Sequence, residues 1–355
     1  MVQSGSSHPV NILFTSAGRR VELLRAFRQA YAALGVTGQL IVTDIDPLAP
    51  ALHVADRFYM TPRFRSVDYI PALLDICRRE AITLVFPLID PDIPLLAAHK
   101  EIFASLGTQV VVVDEAAAAV TGDKWQTTRF FRELGLATAQ SWLPEEINPA
   151  TTAYPLFIKP RQGSAAKHTF KVNNRRELEF FLTYVPEPII QECLPGPEIT
   201  SDVVCDLQGN LLAVVSRQRI EVRWGEVAKG VTVRDPVIEA ACVRIAEALP
   251  AVGPITVQCM MKEGVPHFTE INARLGGGVP LGIAAGVETP RWLLDINLAL
   301  PLVIAIAAWK AFPFYGLVTL SVLQSIPNDL YEAAKVDGAT RLQSFRYVTL
   351  PELIP

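Results

Sequence analysis

The sequence predicts an α/β unit followed by an α+β unit, with an apolar helical tail. Three observations carry that reading. Over residues 1–120 short apolar runs alternate with amphipathic stretches, the pattern of a parallel sheet covered by helices on both faces. Over residues 121–298 the apolar runs come in neighbouring pairs joined by turn residues, the pattern of antiparallel hairpins. From Leu298 to Leu323 the chain reads LALPLVIAIAAWKAFPFYGLVTLSVL, with Lys310 its one charge, which matches the ~20 apolar residues of a membrane-spanning helix.

In the first unit NILFT (11–15) reads as a buried strand. The turn SAGRR (16–20) follows, then a helix over 21–34 with Leu23, Leu24, Phe27 and Tyr31 at helical spacing. LIVTD (40–44) is a second strand. A helix near 68–79, the strand TLVFP (83–87), a helix near 92–105 and the strand QVVVV (109–113) continue the alternation, so residues 1–120 are expected to form a Rossmann-like domain. In the second unit TGDKWQTTRFFRELGL reads as a capped helix closing on Gly135, YPLFIKP (154–160) as a strand, RQGSAAKH as a small-residue loop and TFKV as a returning strand. A helix near 174–183 leads into PIIQECLPG. EITSDVVCDL and NLLAVVSRQRI form a hairpin, a helix over 235–249 follows, and PITVQCMMK and VPHFTEINA form a second hairpin turning at Glu263–Gly264.

The chain has 355 residues, half of them hydrophobic, enough for two or three domains. Its net charge is −4 and its pI about 5.8, so it lacks the basic face that a nucleic-acid partner requires. The cysteines Cys77, Cys193, Cys205, Cys242 and Cys259 lie far apart with no C-x-x-C pair, as expected of reduced thiols packed in cores. The histidines show no metal-ligand spacing, which argues against zinc. The N-terminal MVQSGSSHPV has no apolar segment of a secretory signal. The cytoplasm is therefore the expected location, with membrane association where the tail is functional.

The stretch FTEINARLGGG (268–278) carries the most chemistry. A strand's period of two sets Glu270, Asn272 and Arg274 on one face and Ile271, Ala273 and Leu275 on the other. A carboxylate on a sheet face needs compensation, and Mg²⁺ supplies it through one or two carboxylates plus phosphate oxygens. Arg274 cannot ligate a metal, but its fork suits a phosphate. The hairpin at Glu263–Gly264 would set Gln258 beside Glu270 as a further oxygen donor. The alternative is a solvated polar face with an internal Glu–Arg pair.

Three weaker signals accompany it. In FIKPRQGSAA (157–166) Lys159 ends an apolar strand before a loop small enough to offer backbone N–H groups to an anion, although the Walker A spacing is absent. In QECLPGPEI (191–199) Glu192 and Glu198 frame a Pro/Gly turn, where they suit a sugar hydroxyl or an exocyclic amine, or simply face solvent. Lys124 opens a helix in TGDK, where a solvated lysine is equally at home.

Taken in order, Lys124, FIKP with its small-residue loop, QE-x4-PE, Gln258 and E-x-N-x-R resemble the ATP-grasp superfamily. The likeness is to its carbamoyl-phosphate-synthase-like branch, which includes stand-alone amino-acid ligases, and it runs over residues 10–298. It implies a pre-ATP-grasp domain (1–120), then a two-lobed ATP-grasp domain (121–298, lobes 121–191 and 192–298). It implies that Lys124 and Lys159 contact ATP phosphates and that the loop around Gly163–Ser164 closes over them. Glu192 would lie at the adenine hinge and Glu198 on the ribose hydroxyls. Gln258, Glu270 and Asn272 would hold one or two Mg²⁺, with Mn²⁺ as a substitute, and Arg274 with Lys159 would stabilise the transferring phosphoryl group. The run Gly276, Gly277 and Gly278 would let the chain pass close to an acceptor carboxylate that Arg217 and Lys229 contact. The implied reaction is ATP-dependent ligation: a carboxylate becomes an acyl phosphate, and an amine or similar nucleophile displaces phosphate. The partners are then a small-molecule carboxylate and amine, and the sequence leaves a homo-oligomer open. Two departures stand out. The phosphate loop carries AAKH where relatives have more glycine, and the SAGRR turn is either an anion site or only a helix start with exposed arginines.

The tail (299–355) has a different likeness. LQSIPNDLYEAAKVDGATRLQSFRYVTLPELIP resembles the cytoplasmic coupling loop of sugar-type ABC-transporter permeases, with Glu332–Ala333–Ala334, Gly338 and Leu350–Pro351 in that loop's order. The family docks this loop on an ATPase subunit. A permease needs several spans, and this sequence offers one. The tail is thus a chimeric join, a fusion tethering an enzyme to a membrane, or a soluble core helix interrupted at Pro301 and Pro313. The alternative to a ligase is a permease fragment fused to an ATP-binding module without ligase activity.

Overall fold

The structure, a computed structural model, describes residues 9–163, 167–223 and 226–286, and beyond them residues 330, 332, 335, 340, 343 and 346. The chain divides into two compact units, Met1–Ala299 and Leu300–Pro355.

The first unit opens with β1 (Asn11–Thr15), buried over most of its length. After the SAGRR turn, α1 (Val21–Leu34) turns Leu23, Leu24, Phe27, Ala30 and Tyr31 inward and ends where Gly35 takes φ 65°, the left-handed conformation that glycine adopts at no steric cost. Then come β2 (Leu40–Asp44), β3 (Arg57–Met60), α2 (Tyr69–Arg79), β4 (Ile82–Pro87), α3 (Asp92–Ala98), α4 (Lys100–Ala104) and β5 (Gln109–Val110). The strands pair in parallel in the order β3-β2-β1-β4-β5. The order reverses between β1 and β4, and the crevice at their C-terminal ends is where such sheets hold ligands.

Sequence and structure part at three places here. The strand β3 carries no apolar run, because most of RFYM is exposed. The helix expected over 92–105 breaks at His99, whose Nδ1 lies 2.7 Å from Leu95 O and competes for a helical acceptor. Of QVVVV only Gln109 and Val110 form strand. The rest is buried core, and a Cβ on Gly253 would stand 2.3 Å from Val111 Cγ1, so the second sheet's flank packs directly on it.

The chain continues through α5 (Glu115–Gly122) into α6 (Lys124–Glu133). Asp123 separates them and caps α6 by accepting from Trp125 N and Gln126 N. Next are β6 (Ser141–Trp142), β7 (Leu156–Pro160), β8 (Phe170–Val172), α7 (Arg175–Tyr184) and β9 (Pro188–Glu192). These strands form an antiparallel sheet, β6-β9-β7-β8, over a core that includes Leu156, Ile158, Leu178 and Ile190. Last come β10 (Glu198–Cys205), β11 (Leu211–Arg223), β12 (Glu226–Val233), α8 (Pro236–Ala248), β13 (Pro254–Lys262), β14 (Val265–Asn272) and α9 (Val279–Ala284). Their antiparallel order is β12-β11-β10-β13-β14. The edge strand β12 was hidden in the sequence by Gly230, where a Cβ would meet Gln218 O at 3.0 Å; a glycine inside a strand marks such a close approach. One apolar core, including Leu13, Val85, Phe131, Val203, Ile255 and Phe268, joins the parallel sheet to this one. The five cysteines are unpaired, and Cys77, Cys205, Cys242 and Cys259 are buried.

In the second unit Leu330, Glu332, Lys335 and Gln343 are helical. Thr340 and Gln343 cap one another: Gln343 N–H donates to Thr340 Oγ1 at 3.4 Å, and Thr340 N–H donates to Gln343 Oε1 at 2.8 Å. The apolar run 298–323 lies outside the described residues, and so does the helix expected there. Among the described residues no helix is long and apolar enough to cross a membrane.

Candidate active site

The β13–β14 hairpin builds the centre. Glu263 and Gly264 take φ 52° and 78°, the paired positive values of a tight two-residue turn. That turn sets the register as far as Cys259 opposite Phe268; a bulge at Thr269 then shifts it by one, so Gln258 lies opposite Glu270 and Thr256 opposite Asn272. Ile271, Ala273 and Leu275 are buried while Glu270, Asn272 and Arg274 are half-buried, the two faces expected from the period of two. Past Asn272 the strand stops. Arg274 N–H donates to Asn272 O at 2.8 Å, and Thr256 Oγ1 donates to Arg274 O at 3.2 Å. From there Arg274 reaches the α/β domain, where its Nη2 donates to Asp90 Oδ2 at 2.7 Å.

The neighbouring strands bring further groups. Thr200 of β10 lies opposite Gln258 on one side and Arg217 on the other. Two residues earlier, Glu198 Oε1 accepts from Gln258 Nε2 at 2.7 Å and from Arg219 Nη1 at 2.6 Å. The residue expected on the ribose therefore touches the residue expected on the metal. Glu192, at the end of β9, accepts from Lys262 Nζ at 2.6 Å and from Gln140 N–H at 3.0 Å. Burial pushes its carboxyl up, but these two donors hold it below the usual carboxylate range.

The two lysines face this sheet. Lys124 Nζ donates to Gly163 O at 2.8 Å and stands 3.9 Å from Glu270 Oε1, so it links Gly163, just after β7, to the hairpin. Lys159 lies on β7 of the other sheet. Burial pushes its ammonium below the ordinary lysine value; Glu270 and Glu198 pull it back up, and Lys124 drives it further down. The structure thus brings Lys124, Glu198, Gln258 and Glu270 together, with Lys159 within electrostatic reach of Glu270 and Glu198.

Other expected residues fall elsewhere. Arg217 is 1% exposed and paired with Asp202, itself buried, so neither offers a small molecule an open face. The glycine run passes close to Arg217 rather than to an acceptor: a Cβ on Gly278 would stand 2.4 Å from Arg217 Nε, and one on Gly276 would stand 2.8 Å from Thr256 Oγ1. Gly277 is exposed. Lys229 is 70% exposed and paired across the edge hairpin with Glu221 at 2.9 Å, three strands from β13 in the sheet order. Ser164 lies outside the described residues. In the SAGRR turn Gly18 N–H donates to Asp44 Oδ2 at 2.6 Å and Ser16 Oγ to Asp92 Oδ2 at 3.0 Å, so these two donors are already taken by carboxylates.

Four residues at the site escaped the sequence reading. Arg219 follows Arg217 by two, so the alternation R-Q-R already set both on one strand face. Lys262 ends β13, where the hairpin faces the end of β9. Asp90 follows an apolar parallel strand, the usual ligand-bearing position. Arg161 follows Lys159 by two and holds Asp123 through Nη2 at 2.5 Å, which fixes the start of α6 and therefore Lys124.

Comparison with known proteins fits this geometry. Residues 121–278 match the ATP-grasp domain family, and residues 12–111 match the PylC-like N-terminal domain. The fold is shared with an L-amino acid ligase from Bacillus licheniformis (TM-score 0.62, 18% identity, 81% of this chain and 74% of that one). It is shared with a biotin carboxylase from Campylobacter jejuni (TM-score 0.63, 19% identity, 82% and 72%). A third likeness is to the biotin carboxylase domain of a Hydrogenobacter thermophilus 2-oxoglutarate carboxylase in complex with MgADP and bicarbonate (TM-score 0.64, 15% identity, 80% and 69%).

Residues 259–355 match the binding-protein-dependent transport system inner membrane component. Over 66 residues the chain is 46% identical to the galactooligosaccharides transport system permease protein GanP of Bacillus subtilis, covering 19% of this chain and 16% of that protein. Over 116 residues it is 33% identical to the maltose/maltodextrin permease protein MalF of Vibrio cholerae, covering 32% of this chain and 21% of that one. The chain thus spans about a fifth or less of these permeases, and its C-terminal segment is similar to part of them.

Proposed function

We propose that the protein is an ATP- and Mg²⁺-dependent ligase that activates a carboxylate as an acyl phosphate for attack by an amine or similar nucleophile. One observation carries the reading: Gln258 and Glu270 are paired across the hairpin while Lys124, at the start of α6, stands 3.9 Å from Glu270. The ATP-grasp match and the ligase and carboxylase folds support it. Residues 1–120 are read as the pre-ATP-grasp domain, 121–191 and 192–298 as the two lobes, and 299–355 as the permease-like tail. The reading places the enzyme in the cytoplasm.

The donor chemistry suits Mg²⁺. One carboxylate and two amide oxygens, from Glu270, Gln258 and Asn272, leave much of the ion's shell to phosphate oxygens and water, as Mg²⁺ prefers. Among the described residues no group of three or more His, Cys, Asp or Glu is placed to hold a metal, so a set completed by nucleotide is the one that fits. When bound, the ion would be held by Glu270, Gln258 and Asn272 and would supply positive charge to the phosphate groups. One or two ions, or Mn²⁺ in place of Mg²⁺, suit the same donors.

The chain's own residues do the rest by alignment. Lys124 and Lys159 bind phosphate oxygens, with Gly163 held beside Lys124, while Glu192 stands at the adenine hinge and Glu198 at the ribose. Arg274 faces the transferring phosphoryl group. The substrate carboxylate oxygen attacks the γ-phosphorus and ADP leaves; the amine then attacks the acyl carbon and phosphate leaves. No protein nucleophile is required, because positioning and positive charge lower the barrier.

The permease match favours a second reading, a transport fragment joined to an ATP-binding module without ligase activity. Calorimetry with MgADP, followed by ADP release with pooled amino acids as acceptors, separates the two. Nucleotide binding with acceptor-dependent ADP release is expected. Binding without release for any acceptor favours the second reading, and absence of MgADP binding sinks both.

A further inference from the structure

The candidate site borrows one residue from outside the ATP-grasp sheets. Asp90 follows β4 at the crevice where the parallel sheet's order reverses. Its Oδ2 accepts from Arg274 Nη2 at 2.7 Å across 184 positions of sequence. Both side chains are mostly covered, Arg274 at 14% exposure and Asp90 at 21%. Asp90 lines a narrow crevice with Ile93, Ala118, Ile271 and Ala273, apolar walls that leave its carboxylate little freedom.

The pair is made at one corner only. Asp90 Oδ1 and Arg274 Nε are buried, and neither has a partner among the described residues. Arg274 Nη1 reaches Leu275 O at 3.3 Å. A guanidinium can present a bidentate fork to a carboxylate; this one is steered by Nη2 and keeps Nε in hand for a second anion. Arg274 also sits just beyond the strand face that carries Glu270 and Asn272, at the end of the hairpin where the phosphoryl group is expected.

We propose that Asp90 is a positioning residue of the ligase centre: it fixes the Arg274 guanidinium at the transferring phosphoryl group, and so makes correct seating of the α/β domain a condition of phosphoryl transfer. The inference rests on the ligase reading. Its physical content is a split between ground and transition states. Asp90 offsets part of the Arg274 charge at rest, so MgADP gains little from Arg274. The gain comes when charge develops on the phosphoryl oxygens and a pre-aligned guanidinium meets it.

The test uses the full chain and three variants, Asp90→Asn, Asp90→Glu and Arg274→Ala, with MgADP alone and MgADP plus tetrafluoroaluminate as a mimic of the phosphoryl group in flight. Wild type is expected to bind MgADP and to tighten when tetrafluoroaluminate is added. Asp90→Asn is expected to keep its MgADP affinity within about twofold and to lose about tenfold of the tightening, the effect of a misplaced contact. Arg274→Ala loses the same increment, and Asp90→Glu recovers part of it. If Asp90→Asn does not fold, Asp90→Glu alone decides: tightening reduced with MgADP affinity kept supports the proposal. Full tightening in either Asp90 variant overturns it, as does the lack of tightening in wild type. Failure of wild type to bind MgADP is a different result, which removes the ligase reading itself.

Discussion

Replacing Glu270 with Gln changes one charge and almost nothing else. The side chain keeps its size, and β14 keeps its pairing with Gln258 opposite. Two lysines feel the loss. Lys124 Nζ lies 3.9 Å from Glu270 Oε1; at an effective dielectric constant near 20 that is about 4 kcal/mol before solvent enters. With 26% of the Glu270 side chain exposed, screening brings the realised value to roughly 1 kcal/mol. Lys159 is the more informative partner. Burial is the largest influence on it and lowers its value, while Glu270 is the foremost group holding its proton. In Glu270→Gln the Lys159 ammonium therefore titrates at still lower pH. Phosphate affinity depends on that charge, so the alkaline fall in MgADP binding moves to lower pH in the variant. Stability carries the same sign. A lysine depressed by folding costs the folded state most below its folded value, and the cost is relieved as pH rises toward the unfolded value of 10.5. The variant is thus less stable at neutral pH and regains ground in alkali. Calorimetric titration of MgADP across a pH series, with parallel melts, reads all of this. On the proposed metal assignment, affinity is expected to fall at least about tenfold, and turnover further. Unchanged affinity with an unshifted pH profile would show Glu270 to be a solvated carboxylate and remove the metal assignment.

Two further substitutions probe the scaffold beneath the site. Arg217→Met leaves Asp202 buried and unpaired under the glycine run, so urea unfolding should register a loss of about 3–5 kcal/mol; Arg217→Met with Asp202→Leu should recover most of it, because a broken buried pair costs more than an absent one. Asp123→Ala removes the cap of α6 and the partner of Arg161, at a cost of about 1–2 kcal/mol for the cap, and loosens Lys124. Burial pushes the Asp123 carboxyl up, but Arg161 and the helix N–H groups outweigh it and leave it below 3.8. Its contribution is thus whole above the unfolded value and lost as pH falls through the folded one, so acid melts should converge for variant and wild type at the lowest pH; parallel curves would refute that role.

Much of this site was legible because β-structure writes itself with a period of two. Glu270, Asn272 and Arg274 announce a polar face, and Glu263–Gly264 announces the tight turn that brings β13 beside it; the bulge at Thr269 that sets Gln258 opposite Glu270 was not legible. The first sheet was equally plain where strands are buried on both faces, as in LIVTD. Legibility failed where contacts replace patterns. β3 is an exposed edge with no apolar signature, and β12 hides behind Gly230. Arg217 read as a substrate contact because a charged residue on a strand invites one; only the fold shows Asp202 beneath it and Gly278 above it. Asp90 was invisible for the opposite reason, since its partner lies in another domain and no local spacing links them.

Residues 259–278 fall within both the ATP-grasp match and the permease match, and the pairing of strands decides what they do. Cys259 to Met261 sit opposite Pro266 to Phe268, and Cys259 and Met260 also pair with Ile199 and Glu198 of β10. Glu270, Asn272 and Arg274 lie inside the shared stretch, with Glu270 3.9 Å from Lys124. Within this stretch Glu270 is paired with Gln258, and Arg274 reaches Asp90 of the α/β domain. The overlap therefore belongs to the ATP-grasp sheet, and the first compact unit runs on to Ala299. It follows that a chain ending at Ala299 should fold and bind MgADP within about threefold of the full chain, a difference of less than about 1 kcal/mol. Calorimetry on the two chains side by side measures it. A truncated chain that melts at lower temperature and has lost the nucleotide would mean that the permease-like segment has become part of the enzyme's fold rather than an addition to it.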